Sequence, residues 1–316
     1  MAKKKTTTTE TAAPKESKRN APDVNKLHKR LADDHSGEVA DDRAKERKQE
    51  SEEYQSVIIK RTDETFRHAD DVLEMAIHEG KVQLQRPALS LFMSSLAAGM
   101  IIGFTVLAVA VMATVLGNMD GVNRIFIALL YPLGFVLCIL SRTQLFTEHT
   151  ATAVYPLLDK SAGFTTVIKL WATVIVGNLA GGLVIAGLLT IAEPVIHAKE
   201  GYIMIANHVS NYAFHHLFFS AVLAGWLMAI AAWTILTTHS TPGQIICIYI
   251  ATFIIGIGGL HHSIAGSVEL FVGVFMSPDI AMLAMLPYIG VMLLGNAVGG
   301  SVFVALVNYG HIRGLK

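Results

Sequence analysis

Residues 177–182 read GNLAGG and residues 295–300 read GNAVGG. Each element closes one half of a long apolar region, and each half also contains an apolar stretch broken by polar residues. The first break reads LFTEHT, residues 145–150; the second reads LHHS, residues 260–263. A segment in lipid must satisfy its own backbone polar groups, so an interrupted helix is tolerated only where it is buried in protein or lines a cavity. Broken helices at corresponding places of two halves are the sequence signature of a transport route. The reading is therefore a small-solute channel or transporter.

Composition supports the membrane assignment once the chain is divided. Of 25 Lys and Arg, 18 lie between Met1 and Arg86, as do 18 of 25 Asp and Glu. The remainder keeps 14 charged side chains among Ala, Val, Ile, Leu, Phe and Gly, which is the composition of lipid-embedded helices. Zero net charge carries no information, because both signs crowd the same tail. No apolar core follows the basic start MAKKKTTTTE, so no secretory signal is expected and this end stays in the cytoplasm. Cys138 and Cys247 lie in apolar segments and read as small packing residues.

Residues 1–53 lack a repeating apolar face and predict a disordered, charged cytoplasmic tail. Between 54 and 87, apolar residues from Val57 to Ile77 recur at helical spacing, predicting an amphipathic helix at the membrane surface or against the bundle. Residues 88–310 hold six candidate spans, since a crossing needs about 20 apolar residues. They are 88–119; 125–140 with a break at 142–149 and resumption over 151–158; 170–192; 212–238; 245–276 with a break at 256–262; and 285–309. Residues 311–316 form the carboxyl terminus. The fold class is all-α: six transmembrane helices as an inverted 3+3 repeat with two broken helices. Lys160, Lys169, Arg313, Lys316 and the tail fall on one side and Arg124 and Lys199 on the other, predicting cytoplasmic termini. The GN elements lie 118 residues apart and the breaks, aligned as TEHT on LHHS, 113 apart.

His261 and His262 sit mid-segment, after Gly256, Gly258 and Gly259 and before Ser263 and Gly266. An ionisable residue at membrane depth is expensive and usually faces a pathway. Histidine exchanges protons near neutral pH, so His262 is read as a pore and proton-relay residue, with a histidine satisfied by backbone carbonyls as the other possibility. His261 points either toward the route or away from it, and Glu269 is read as paired inside the bundle, with contact to the solute as the other possibility. Leu145 and Phe146 either narrow a pore or face lipid; Thr147 either donates to a passing oxygen or caps a helix. Lys169 either snorkels to headgroups or charges a vestibule. Asn178 and Asn296 need partners in the bundle and either brace the broken helices or line the route. His215, His216 and His239 are further histidines of the membrane region. No HExxH or spaced His–carboxylate pattern accompanies them, so neither metal, cofactor nor enzyme chemistry is expected.

Four motifs in order, LFTEHTATAVYP (145–156), IKLWATVIVGNLAGG (168–182), HHSIAGSVELFVGVF (261–275) and LLGNAVGGSVFVAL (293–306), resemble the formate/nitrite transporter family. The resemblance starts near residue 79 and covers all six segments. It implies an aquaporin-like protomer in a homopentamer, each protomer with its own pore for small monovalent anions of weak acids. It also implies that His262 is the central pore histidine, Thr147 its partner, and Leu145, Phe146, Phe135 and Ile255 the constrictions. Lys169 then falls on the vestibule lysine, and Asn178 and Asn296 on the two helix asparagines. The family pattern usually has Glu before the central His and Asn four residues after it, where this chain has His261 and Gly266.

A bare carboxylate entering a medium of dielectric about 4 costs on the order of 20 kcal/mol, and several after relaxation. Neutralising it first removes most of that barrier, although a small acid with a pKa near 4 is only about one part in a thousand neutral at pH 7. The expected mechanism has Lys169 attract the anion, the apolar constrictions reject it while charged, and protonation near His262 let the acid cross. The partners are that anion or its neutral acid, protons and the lipid bilayer of the inner membrane, with no nucleic acid. The competing reading is a non-transporting scaffold whose charged tail recruits a cytoplasmic partner.

Overall fold

A computed structural model describes residues 68–238 and 240–313. The tail 1–53, residues 54–67 of the expected surface helix, His239 and residues 314–316 lie outside the described residues. Among the described residues all regular structure is helical, and six stretches are long and apolar enough to cross a bilayer: Ala88–Leu116, Asn123–Leu140, Phe164–Ile191, Phe214–Thr237, Thr241–Gly258 and Met282–Arg313. Their outward side chains, among them Val115, Val176, Leu188 and Ile191, are exposed apolar groups that lipid accepts and water does not.

Helix α1 (Ala69–Gln85) precedes the first span, α2 (Ala88–Leu116). The second span is α3 (Asn123–Leu130) followed by α4 (Pro132–Leu140), after which the chain breaks and resumes as α5 (Phe146–Thr152) and α6 (Tyr155–Leu158). The third span is α7 (Phe164–Ile191), and α8 (Glu193–Ile196) and α9 (Lys199–Ser210) lead to the fourth, α10 (Phe214–Thr237). The fifth span divides into α11 (Thr241–Gly258) and α12 (Ser263–Met276). The sixth is α13 (Met282–Gly300), continued through a π-helical stretch at Ser301–Leu306 into α14 (Val307–Arg313).

The two GNxxGG elements act as hinges of packing. In the first, a Cβ on Gly177 would meet Ser95 Cβ at 2.5 Å and Phe92 O at 2.9 Å, and one on Gly181 would collide with Leu96 O, so α2 and α7 approach backbone to backbone. In the second, Gly295 stands in the same way against Ala221 and Phe218, and Gly299 against Val222 O, bringing α10 and α13 together. Gly99 and Gly225 complete each contact from the facing helix, against Asn178 O and Asn296 O. Such small-residue seams let spans associate where lipid gives no hydrophobic drive. The last glycine of each element looks across the molecule. A Cβ on Gly182 would lie 3.0 Å from Val268 of α12, and one on Gly300 would collide with Thr150 of α5. Each half therefore packs on the half-helix of the other.

Helix α1 lies against the bundle rather than apart from it. Leu73, Ala76 and Ile77 join a buried cluster with Ala151, Val154, Tyr155, Ala229, Val304 and Ala305. Exposed ion pairs, Arg313–Glu74 at 3.4 Å and Lys81–Asp159 at 3.8 Å, link it to α14 and to the end of α6. Solvent screening leaves such pairs little energy, so the apolar cluster holds the helix.

Several boundaries differ from expectation. The first break is shorter than residues 142–149, because Phe146 already opens α5. The second is Gly259–His262 rather than 256–262, since α11 runs to Gly258 and ends on Gly259 at φ 58°. The third span begins at Phe164 instead of Leu170, extending through Thr165, Thr166 and Lys169, polar residues suited to a span's end. Helix α9 was not anticipated at all.

Candidate functional site

Each break leaves backbone groups without helical partners, and one asparagine meets them in each half. Asn178 Nδ2 donates to Gln144 O at 2.8 Å and Ser95 O at 2.7 Å, while its Oδ1 accepts from Phe146 N–H at 2.9 Å. Asn296 Nδ2 donates to His261 O at 3.1 Å and Ala221 O at 2.7 Å, and its Oδ1 accepts from Ser263 N–H at 2.7 Å. A carboxamide is the side chain with two donors and an acceptor at this reach, and both asparagines are fully buried. The shared pattern pairs Gln144 with His261 and Phe146 with Ser263, an offset of 117 residues rather than the 113 expected from TEHT and LHHS. The left-handed turn residues follow the same offset, Arg142 at φ 55° and Gly259 at φ 58°.

The two breaks meet. Thr147 Oγ1 and His262 Nε2 are 2.7 Å apart, both residues buried. His262 caps α12, its Nδ1 accepting the Ala265 N–H at 3.2 Å. A nitrogen that accepts carries no proton, so the neutral ring holds its hydrogen on Nε2 and donates it to Thr147. The Thr147 hydroxyl hydrogen is left free for another acceptor.

Apolar side chains close around this pair. The Phe135 ring stands edge-on to His262 with centroids 4.8 Å apart, and Phe135, Leu145 and Ile255 are fully buried. Phe146 is buried against Trp171, centroids 5.8 Å apart. Beside His262 opens a cavity of about 50 Å³, bordered by Ile255, Tyr131, His208, His261, His262 and Glu269 among others. Space of that size admits a few waters.

His261 faces this cavity rather than turning away. Its Nδ1 pairs with Ser220 Oγ at 2.8 Å, its backbone N–H donates to the same oxygen at 3.2 Å, and its ring stacks on His208 with centroids 5.5 Å apart. On α9, outside the six spans, burial chiefly holds the His208 imidazole below its ordinary pKa, against the opposing hydrogen bond to Gly259 O. Glu269 differs from expectation: it borders the cavity and has no hydrogen bond or ion pair to any described residue. Lys169 is exposed on α7 and does not border the cavity.

Sequence reasoning passed over His208, Ser220 and Tyr131. Ser220 carried no signal in an apolar run. His208 had one, a histidine four residues before Tyr212 in a short amphipathic stretch, of the same spacing that places groups on one helical face.

The sequence profile described as Formate/nitrite transporter matches residues 70–310. This chain belongs to the formate/nitrite transporter family. It is 31% identical over 250 residues to the inner membrane protein YfdC of Escherichia coli (strain K12), covering 76% of this chain and 79% of that one. Among solved structures, an FNT family ion channel superposes with a TM-score of 0.67 at 20% identity, over 77% of this chain and 98% of that chain. A pentameric formate channel with formate bound gives 0.62 at 22% identity, over 70% and 96%. The two superpositions show that the fold is shared with these channels.

Proposed function

We propose that this family member passes small monovalent anions of weak acids, of the formate and nitrite class, across the inner membrane, each leaving the constrictions as its neutral acid. The Thr147–His262 contact carries the reading. It joins the two breaks at the start of both half-helices, and leaves a hydroxyl hydrogen to be accepted by an oxygen of the passing anion. The α12 amino terminus adds the positive end of a helix dipole at the same place. Phe135, Leu145, Phe146 and Ile255 are the apolar constrictions that disfavour a charged solute and admit its acid. Asn178 and Asn296 brace the breaks. Lys169, exposed at one end of α7, concentrates anions near the mouth. The protomer is an inverted repeat with both termini cytoplasmic, and five copies assemble as in the pentameric formate channel it resembles. A scaffold role for the tail alone leaves the Thr147–His262 arrangement without a purpose.

Acid-driven formate uptake into proteoliposomes tests this. Thr147→Val keeps the side-chain shape but strands the His262 Nε2–H, a loss of about 1–3 kcal/mol. Flux should fall about 10- to 100-fold, while Thr147→Ser stays near the parent. Unchanged uptake by Thr147→Val would remove Thr147 from the route. Lys169→Ala should raise the half-saturating anion concentration a few-fold at low salt, with the difference fading above about 0.15 M as the charge is screened. A salt-independent effect would instead assign Lys169 to packing.

A further inference from the structure

The cavity beside His262 contains a carboxyl that the Thr147–His262 route does not use. Helix α12 leaves the second break at Ser263, and His262, Gly266 and Glu269 follow at intervals of four and three residues, so they share one helical face. All three border the cavity. Gly266 contributes no side chain, and a Cβ there would already press on Met292 Sδ at 2.8 Å. No α12 side chain therefore separates imidazole from carboxyl along this face.

Glu269 is 8% exposed and unpaired among the described residues. The titratable groups facing the cavity with it are His262, His261, His208 of α9 and Tyr131 between α3 and α4. Helices α2, α7 and α13, which also pack on α12, bring no charged side chain to the cavity, and Glu148 and His149 of α5 do not border it. Arg124 lies nearby at Gly259, where a Cβ would come within 2.7 Å of Nη2, but it too is outside the cavity wall. A carboxyl in such a place meets an incoming anion in one of two ways: ionised it repels, protonated it offers an O–H.

We infer that Glu269 is a second proton-carrying group of this route, donating its proton to the anion in the cavity before the solute reaches the constrictions. In that step the Glu269 O–H bond breaks, the hydrogen bonds to an oxygen of the anion, and neutral acid and carboxylate result. A hydronium ion from the water on the cavity side then restores the carboxylic acid, so one proton accompanies each anion. The inference rests on the proposed anion transport and adds the donor that the Thr147–His262 pair lacks.

The test compares formate uptake by the full chain and by Glu269→Gln, which keeps size and polarity but cannot give up a proton. At about pH 7.5, where little formic acid exists in bulk, the variant should be slower by about tenfold or more. At about pH 5 bulk water supplies the acid and the two rates should converge. A ratio that does not change with pH, or a variant faster than the parent at the higher pH, overturns the inference. Infrared difference spectra give a readout free of transport: the parent should show a protonated-carboxyl band that titrates and is missing in Glu269→Gln. Absence of that band in the parent overturns it equally. No formate flux in the parent, or flux indifferent to His262→Asn, would sink the anion-transport reading itself and with it this donor.

Discussion

Replacing His262 by Asn is expected to leave the protein folded and assembled while cutting acid-driven formate uptake about 10- to 100-fold. The reason lies in the two bonds of the imidazole. Its Nδ1 caps α12 by accepting from Ala265, and its Nε2 donates to Thr147. Asparagine is among the preferred capping residues, so its Oδ1 takes over the first bond and the half-helix starts where it did. The second bond is lost, together with the imidazole that the proposed route places beside the passing anion. His262→Phe removes both bonds. It should transport no better and also melt at a lower temperature, because the buried Ala265 N–H goes unpaired. The difference in melting between the two variants measures the cap, and their common loss of flux measures the route. Parental uptake by His262→Asn between about pH 5 and 8 would take the imidazole off the pathway.

The second large effect is structural. Asn296→Ala strands Ser263 N–H and His261 O at once, and Ala221 O, already bonded within α10, loses a second donor. Unpaired buried groups cost about 1–3 kcal/mol apiece, so the two together cost on the order of 4 kcal/mol, a large part of the stability of an ordinary fold. The expected result is poor recovery, early thermal aggregation and loss of the parental elution volume in detergent. Asn178→Ala should behave alike, since it holds the first break by the same three bonds. Asn296→Asp retains the acceptor for Ser263 N–H and should recover part of the loss. A melting temperature unchanged by Asn296→Ala would mean that the second break is held by other contacts.

Much of the fold was legible because the bilayer imposes one requirement on every span, and a run of some 20 apolar residues answers it visibly. The breaks were legible for the complementary reason: polar residues and glycines in an apolar run need an internal explanation. Their exact extent was not. Phe146 and Gly258 belong to helices because Asn178 and the left-handed turn at Gly259 set the ends, and both depend on partners far away in sequence. The 113-residue alignment of TEHT with LHHS failed on the same ground, since the asparagine bonds and not the polar letters mark equivalent positions. Helix α9 escaped notice because it is short and half polar, and with it went His208. The position of Glu269 on the cavity wall depends on α3, α9 and α11 converging beside α12, which no local pattern records.

The crossed glycine contacts have a consequence for biogenesis. Thr147 and His262 are 115 residues apart, and Gly300, which seats against Thr150, comes later still. At ribosomal rates of about 5–20 residues per second, α5 waits on the order of ten seconds for α12. Throughout that interval the first three spans hold an unfinished polar seam within the membrane. Asn178 is already present to quiet Gln144 and Phe146, so the nascent half can persist at the translocon until its counterpart arrives.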